Sequence, residues 1–174
     1  MSPMETWDAL RARRNVRMFA PEPVAQEDLD RIVEAGRRAP SASNWQPWDF
    51  VVVTDRDQLQ RLAGVWQGAS HIARSAATIG IVAPTVDDPR RAGILQFDLG
   101  QATMMMMIAA ADLGIGTGHS AVGDQDLARE LLGFPEDRFL AFMLGLGYPA
   151  DRPLRVIRRP DRRPFEEVVH RGHW

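Results

Sequence analysis

The 174-residue sequence contains neither cysteine nor lysine, and both absences narrow its chemistry. Without cysteine the chain has no disulfide, no thiolate nucleophile and no cysteine metal ligand. All 21 basic residues are arginine, which reflects either codon bias or selection for planar, bidentate contacts with anions. The formal net charge of −2 gives no indication of nucleic-acid binding.

The sequence also has little that would direct the chain to a membrane or a metal. Its N-terminus shows no signal-peptide hydrophobic region, and the longest apolar run, 102–111, is too short to span a bilayer. His170 and His173 lack a third ligand and would make a poor metal site. Hydrophobic content of 45% and charged content of 25% are ordinary for a globular protein. We therefore expect one cytoplasmic domain that spans residues 1–174.

The chain is organised around the stretch 39–50, which reads APSASNWQPWDF. Pro40 ends the helix predicted before it, because proline cannot continue a helix. The small residues Ser41, Ala42 and Ser43 would let a ligand approach the backbone. The side-chain amides of Asn44 and Gln46 would pair donors with acceptors. The indoles of Trp45 and Trp48 would add flat apolar surface. Such a stretch is typical of a turn-rich connector, but we favour a site for a planar ligand.

Hydrophobic periodicity and turn residues predict helices and strands around this stretch. Strands are expected at 50–54, 76–83 and 138–146, and helices at 26–38, 57–63 and from Asp124 to Gly133. The first helix would begin with Ser2 as cap, Pro3 at the first position and Glu5 in a capping box. It would turn Trp7 and Leu10 inward and end near Arg14. These elements indicate an α+β fold in which helices pack on a mostly antiparallel sheet.

The longest predicted helix covers 96–113, after a polar loop at 85–91. From Ala102 onward it has almost no polar face and carries four consecutive methionines, 104–107. A helix that is apolar all round must be buried on all sides. It is therefore predicted to be a central core helix, with burial against a second subunit as a compatible addition. The GIGTGHS sequence at 114–120 is weak evidence for a dinucleotide site, because it follows a helix rather than a strand.

Two arginine-rich motifs lie near the ends of the chain, RRNVRMF at 13–19 and RRPFEEVV at 162–169. Together with APSASNWQPW, and with GYP at 147–149, they resemble the nitroreductase family of FMN-dependent oxidoreductases. The resemblance extends over nearly the whole chain. It implies a nitroreductase-like fold with a long buried central helix. It also implies a homodimer with FMN at the interface and a C-terminal tail that reaches the partner subunit.

The resemblance also implies which residues bind the cofactor. The N-terminal motif would hold the FMN phosphate and ribityl chain, with Arg17 near the pyrimidine end of the flavin. Residues 117–121 would lie along the flavin, and one C-terminal arginine, most simply Arg162, would complete the phosphate site. His119 is open to a proton-donating or a structural role. The implied cofactor-binding residues are Arg13, Arg14, Asn15, Arg17, Pro40, Ser41, Ala42, Ser43, Asn44, Gln46, Thr117, Gly118, His119, Ser120, Arg162 and Arg163.

The implied function is NAD(P)H-dependent reduction of nitroaromatics, quinones or related electron-poor compounds. The order would be ping-pong, with NAD(P)H leaving before the acceptor binds, and the flavin would supply the chemistry without an indispensable catalytic side chain. The brevity of the 85–91 loop suggests an open active site. Two alternatives stay open: a protein that sequesters FMN without turnover, and a flavin-dependent dehydrogenase of a peptide or metabolite.

Overall fold

A four-stranded antiparallel sheet forms the centre of the computed structural model, which describes residues 4–174. Its strands are β1 (Asp49–Val53), β2 (Ala77–Pro84), β3 (Gly116–Ser120) and β4 (Arg138–Gly147), in the spatial order β1-β2-β4-β3. Every described pair is antiparallel, which confirms the predicted sheet. The apolar run of β2 is buried almost to its end. Strand β3 was not predicted, and it lies at one edge of the sheet.

Six α-helices surround the sheet in the described part of the chain. They are α1 (Thr6–Ala12), α2 (Gln26–Arg37), α3 (Arg56–Leu62), α4 (Pro89–Asp112), α5 (Gln125–Leu132) and α6 (Phe165–Val168). The predicted core face of α2 is confirmed, since Leu29, Ile32 and Gly36 are buried. The predicted ends of α5 are also confirmed. Asp124 caps it by accepting from the Leu127 amide, and Gly133 closes it with φ of 71°.

Helix α4 is 24 residues long and begins seven residues before the predicted start. The polar loop predicted for 85–91 is therefore wrong from Pro89 onward. Asp88 accepts a hydrogen bond from the Arg91 amide at 2.7 Å, and Pro89 occupies the first helical position. These are standard N-terminal signals, and they outweigh the polar composition of the segment. Helix α4 approaches α2 closely, because a Cβ on Gly36 would lie 2.7 Å from the Met106 Cγ.

Only part of α4 is buried within one chain. Met106 and Met107 lie in the core, whereas 68% of Phe97 and 42% of Met104 are exposed. The prediction that this helix is buried on all sides is therefore wrong for the isolated chain. By length and composition alone α4 could cross a membrane, which corrects the view that the apolar run is too short. Its packing against α2 and the core residues of the sheet identifies it as a core helix of this fold.

Helix α1 departs most from its prediction. Ser2 and Pro3 lie outside the described residues, and the helix begins at Thr6 and ends at Ala12. Trp7 and Leu10 point outward with 68% and 42% exposure, so their predicted burial is wrong. Small residues face α4 instead, namely Ala9 and Ala12. Small side chains allow closer helix packing than an indole would, so the bulky residues stay on the outer face.

Candidate functional site

The N-terminal arginine motif lies against the edge strand β3. The Val16 amide donates to the Thr117 carbonyl at 2.8 Å, and Asn15 forms an isolated parallel bridge with Thr117. Val16 is 1% exposed, whereas its neighbours Asn15 and Arg17 are exposed. A buried valine thus anchors the motif and leaves two polar side chains free to meet a ligand. The structure brings this part of the predicted site together with the 117–120 segment.

Glycines make this approach possible. A Cβ on Gly116 would lie 2.6 Å from Val16 Cγ2, and one on Gly118 would overlap the Val16 carbonyl oxygen. Any side chain at Gly118 would therefore push the arginine motif away from β3. The glycines of GIGTGHS serve a close contact between two backbone segments. This role differs from the phosphate-binding role of a Rossmann glycine motif.

His71 lies beneath the same strand and was not among the predicted site residues. It is 4% exposed, and its Nε2 lies 3.0 Å from the Gly118 carbonyl oxygen, so Nε2 carries the donated proton. Burial lowers the pKa of His71, and the charge of Arg17 acts in the same direction, while the Gly118 carbonyl opposes both. The neutral imidazole therefore supports β3 from below. Its pairing with residue 118 arises from folding, and nothing in a single sequence indicates it.

The turn at Pro40–Gln46 has an unusual backbone. Ser43, Asn44 and Gln46 have φ of 52°, 55° and 52°, in the left-handed region that side chains rarely adopt. Several hydrogen bonds close the turn on itself. Among them, the Gln46 amide donates to Ser41 Oγ at 2.9 Å, and Gln46 Nε2 donates to Asn44 Oδ1 at 3.1 Å. Ala42, Ser43 and Asn44 remain exposed. The turn therefore presents small groups and part of two amides to solvent, and its role as a planar-ligand site stays a prediction.

The two indoles of this stretch offer less free surface than predicted. Trp48 is only 8% exposed and stacks on Phe50 with ring centroids 6.5 Å apart, so it belongs to the core. Trp45 is half-buried, and the Arg91 guanidinium lies 4.5 Å from its ring centroid in a cation–π contact. The prediction that Trp48 offers flat apolar surface to a ligand is therefore wrong. In the described residues Trp45 is already covered on one side.

The turn and the arginine motif contact different parts of α4. Ala42 donates its amide to Asp98, in the first half of α4. Val16 packs with Ala111, near the end of α4. Asp98 and Ala111 are thirteen residues apart, which corresponds to about 20 Å along a helix. One chain therefore does not bring the two groups of predicted site residues together.

Arginines of the C-terminal segment gather beside Arg14 instead. Arg14 forms an ion pair with Asp151 at 2.7 Å and donates to the Arg152 carbonyl at 2.7 Å, and this pairing lowers the pKa of Asp151. The segment is held in place because the Ile157 amide donates to the Arg11 carbonyl at 3.1 Å. A cavity of about 600 Å³ results. Its lining includes Arg14, Arg152, Arg155, Arg158 and Arg159.

The predicted Arg162 and Arg163 make different contacts. Arg162 donates to the carbonyl of its neighbour Asp161, and Arg163 pairs with Glu167 at 3.4 Å. The fold instead brings Arg155 and Arg158 to the cavity beside Arg14. Six arginines and repeated prolines between 152 and 163 indicated an anion-facing segment, but spacing could not identify which arginine faces the motif.

Known proteins resemble this chain in both sequence and fold. A model of the nitroreductase family matches residues 10–67, which contain both the arginine motif and the Pro40–Gln46 turn. A chain of Archaeoglobus fulgidus, assigned provisionally as an NADH dehydrogenase/NAD(P)H nitroreductase, is 31% identical over 166 residues. The match covers 93% of this chain and 94% of that one. An FMN reductase (NAD(P)H) of Bacillus subtilis is 28% identical, with coverage of 90% and 70%.

A solved structure extends the likeness to three dimensions. The NADPH:FMN oxidoreductase of Vibrio harveyi in complex with NAD⁺ matches with a TM-score of 0.81 and 26% identity. The match covers 95% of this chain and 76% of that chain. The sequence and structure comparisons agree, and the chain belongs to the nitroreductase family.

Proposed function

We propose that this chain is an FMN-dependent oxidoreductase that uses NAD(P)H to reduce nitroaromatics, quinones or related electron-poor compounds. The enzyme class and the cofactor follow from the family and from relatives named as FMN reductase and NADPH:FMN oxidoreductase. The observation that carries the proposal is the seating of the Arg13–Arg17 motif on β3, with Val16 buried and Arg17 exposed beside it. We place this function in a single cytoplasmic domain that spans residues 1–174.

The residues present fit FMN. Its terminal phosphate is an anion that guanidinium groups bind well, and the arginine-lined cavity beside Arg14 supplies several of them. Asn15 and Arg17 are exposed on the anchored motif, so both side chains would be available to the cofactor. FMN, when bound, supplies two-electron chemistry between NAD(P)H and the acceptor. The chain's own residues would bind and orient it: Arg13, Arg14 and Asn15 would hold the phosphate and ribityl chain, and Arg17 would lie near the pyrimidine end.

No side chain is assigned as a catalytic acid or base. The backbone of Thr117–Ser120 would lie along the cofactor, supported from below by His71. His119 is exposed on this strand and stays a candidate for a proton-donating or a structural role. We propose a ping-pong order, in which NAD(P)H leaves before the acceptor binds at the same open face.

We further propose a homodimer with shared sites. The arginine motif and the Pro40–Gln46 turn lie about 20 Å apart along α4 in one chain, so a second copy would have to supply the missing half. The exposed Phe97 and Met104 on α4, and Trp7 on α1, supply apolar surface for such a partner. The tail from Pro164 to Trp174, which has no buried residue, would cross to that partner.

Cofactor content and turnover are tested directly on purified protein. We expect yellow protein that releases FMN, not FAD, on denaturation. Its colour should bleach with anaerobic NAD(P)H and return when menadione or a nitroaromatic is added. FAD, or a protein that ignores added FMN, would contradict the cofactor proposal. Flavin that stays oxidised with NAD(P)H would favour a sequestering protein instead.

A mixed-dimer experiment tests the shared site. One variant carries Arg13→Ala and Arg17→Ala, and the other carries Asn44→Ala and Gln46→Ala. If each site takes one half from each subunit, a mixed dimer regains one intact site and about half of the wild-type flavin content. If the site lies within one chain, mixing restores nothing. A stable monomer that retains flavin in light scattering would also refute the dimer.

A further inference from the structure

Asp98 is a buried carboxylate that the proposed chemistry does not use. It is 1% exposed and is the only aspartate or glutamate among the buried residues of the described chain. Its neighbours in the core include Leu95, Leu99 and Ala102, which are apolar. A carboxylate in such surroundings costs several kcal/mol of desolvation unless hydrogen bonds offset it, so its contacts are informative.

Both carboxylate oxygens of Asp98 are engaged with the Pro40–Gln46 turn or with the residue that holds it. Oδ2 accepts from the Ala42 amide at 3.0 Å, and Oδ1 accepts from Gln101 Nε2 at 3.4 Å. Gln101 Nε2 also lies 3.4 Å from the Pro40 carbonyl oxygen. Asp98 and Gln101 are one turn apart on the same face of α4. Together they hold the turn at its first carbonyl and at the amide two residues later.

The turn needs such support because its backbone is strained. Ser43, Asn44 and Gln46 all have positive φ, and a residue in this sparsely populated region persists only when its surroundings enforce it. The internal hydrogen bonds of the turn fix its shape but do not fix its position on the protein. The bonds from Asp98 and Gln101 fix the position relative to α4.

We propose that Asp98 is a positioning residue that presents the Pro40–Gln46 turn to the cofactor. The inference rests on the proposed function, since the turn is assigned there to FMN. The same helix carries the exposed Phe97, next to Asp98 in sequence. A partner subunit that packs on this face would therefore receive the turn at a fixed offset from the interface. Asp98 thus ties the geometry of the binding turn to the helix that forms the proposed interface.

The experiment compares Asp98→Ala and Asp98→Asn with the control Thr103→Val. Asn keeps a side-chain oxygen for the Ala42 amide, whereas Ala does not. The control removes the hydrogen bond from Thr103 Oγ1 to the Leu99 carbonyl, which is 2.8 Å long, lies within the same helix and does not involve the turn. Gln101→Ala removes the second tether from a half-buried position and serves if Asp98→Ala does not fold.

Two measurements are made on each variant. In apoprotein, amide hydrogen exchange of residues 42–46 should accelerate in Asp98→Ala, and more weakly in Gln101→Ala, but not in Asp98→Asn or Thr103→Val. In the FMN titration, the Kd should rise about 10- to 100-fold in Asp98→Ala, the range expected for losing a hydrogen bond to a charged group. Asp98→Asn should stay within about threefold of wild type, because the neutral oxygen still accepts.

The outcomes separate the two levels of the proposal. Unchanged exchange at residues 42–46 in both Asp98→Ala and Gln101→Ala overturns the positioning role, whatever the protein binds. Faster exchange in a protein whose wild type binds no FMN supports the positioning role and refutes the proposed function. A Kd that rises equally in Asp98→Ala and Thr103→Val would mean that general loss of stability is responsible, and the inference fails.

Discussion

Replacing Gly118 with alanine should separate the arginine motif from the sheet. A Cβ at this position would overlap the Val16 carbonyl oxygen and lie 3.1 Å from His71 Cδ2. The first neighbour is backbone and cannot rotate away, so the Asn15–Arg17 segment must move. Its displacement would break the 2.8 Å bond from the Val16 amide to the Thr117 carbonyl.

The magnitude follows from two losses. Overpacking a tight contact costs about 1–3 kcal/mol, and the lost backbone hydrogen bond costs about 0.5–1.5 kcal/mol. We expect the free energy of unfolding of the apoprotein to fall by about 1.5–4.5 kcal/mol in sum. For a chain of 150–250 residues, this corresponds to a drop in melting temperature of roughly 3–18 °C. FMN affinity should fall as well, because Arg17 moves with the displaced segment.

Gly64→Ala is the matched control. A Cβ there meets only Leu127 Cδ2, at 3.8 Å, an ordinary van der Waals distance. Differential scanning fluorimetry with and without FMN, and fluorescence titration with FMN, should show the control near wild type and Gly118→Ala impaired in both. Equal melting temperatures and equal FMN Kd values for the two variants would refute the argument that this glycine seats the motif.

Further predictions concern four single side chains. Arg17→Ala should lower the midpoint potential of bound FMN by roughly 30–60 mV, because a cation worth about 1.5–3 kcal/mol near the reduced pyrimidine end is lost. Arg13→Ala should weaken FMN binding and leave the midpoint potential unchanged. Spectroelectrochemistry of both variants measures this, and an unchanged potential in Arg17→Ala with FMN still bound would contradict the placement of Arg17 near the pyrimidine end. Burial lowers the pKa of His71, so below about pH 6.5 the unfolded chain binds a proton that the folded chain resists. Stability therefore falls as the pH drops through that value, and His71→Gln should flatten the dependence in urea unfolding at pH 7.5 and 5.5; parallel curves would contradict this. Asp124→Ala removes the cap of α5 and should lower the free energy of unfolding by about 1 kcal/mol, as measured by urea unfolding. FMN affinity should stay unchanged, and a large loss of FMN affinity would instead link α5 to the site.

Much of the fold could be predicted because its signals are local. The apolar spacing of α2, the buried run of β2, and the Asp124 and Gly133 ends of α5 need no partner to be recognised. Asp88 and Pro89 carried an equally local signal for the start of α4, but the polar segment around them was interpreted as a loop. Strand β3 could not be predicted in this way. Its glycines disfavour strand by themselves, and it forms because β4 pairs with it along five residues.

The sequence alone determined the family, and it located the arginine motif and the Pro40–Gln46 turn, because each motif is a contiguous run of residues. Only the tertiary structure decided how those runs meet. It seats Val16 on β3 and brings Arg155 and Arg158 beside Arg14. It also buries Asp98 under the turn. These pairings join residues far apart in sequence, so they depend on how α4 and the sheet pack. The same packing sets the turn and the arginine motif about 20 Å apart along α4.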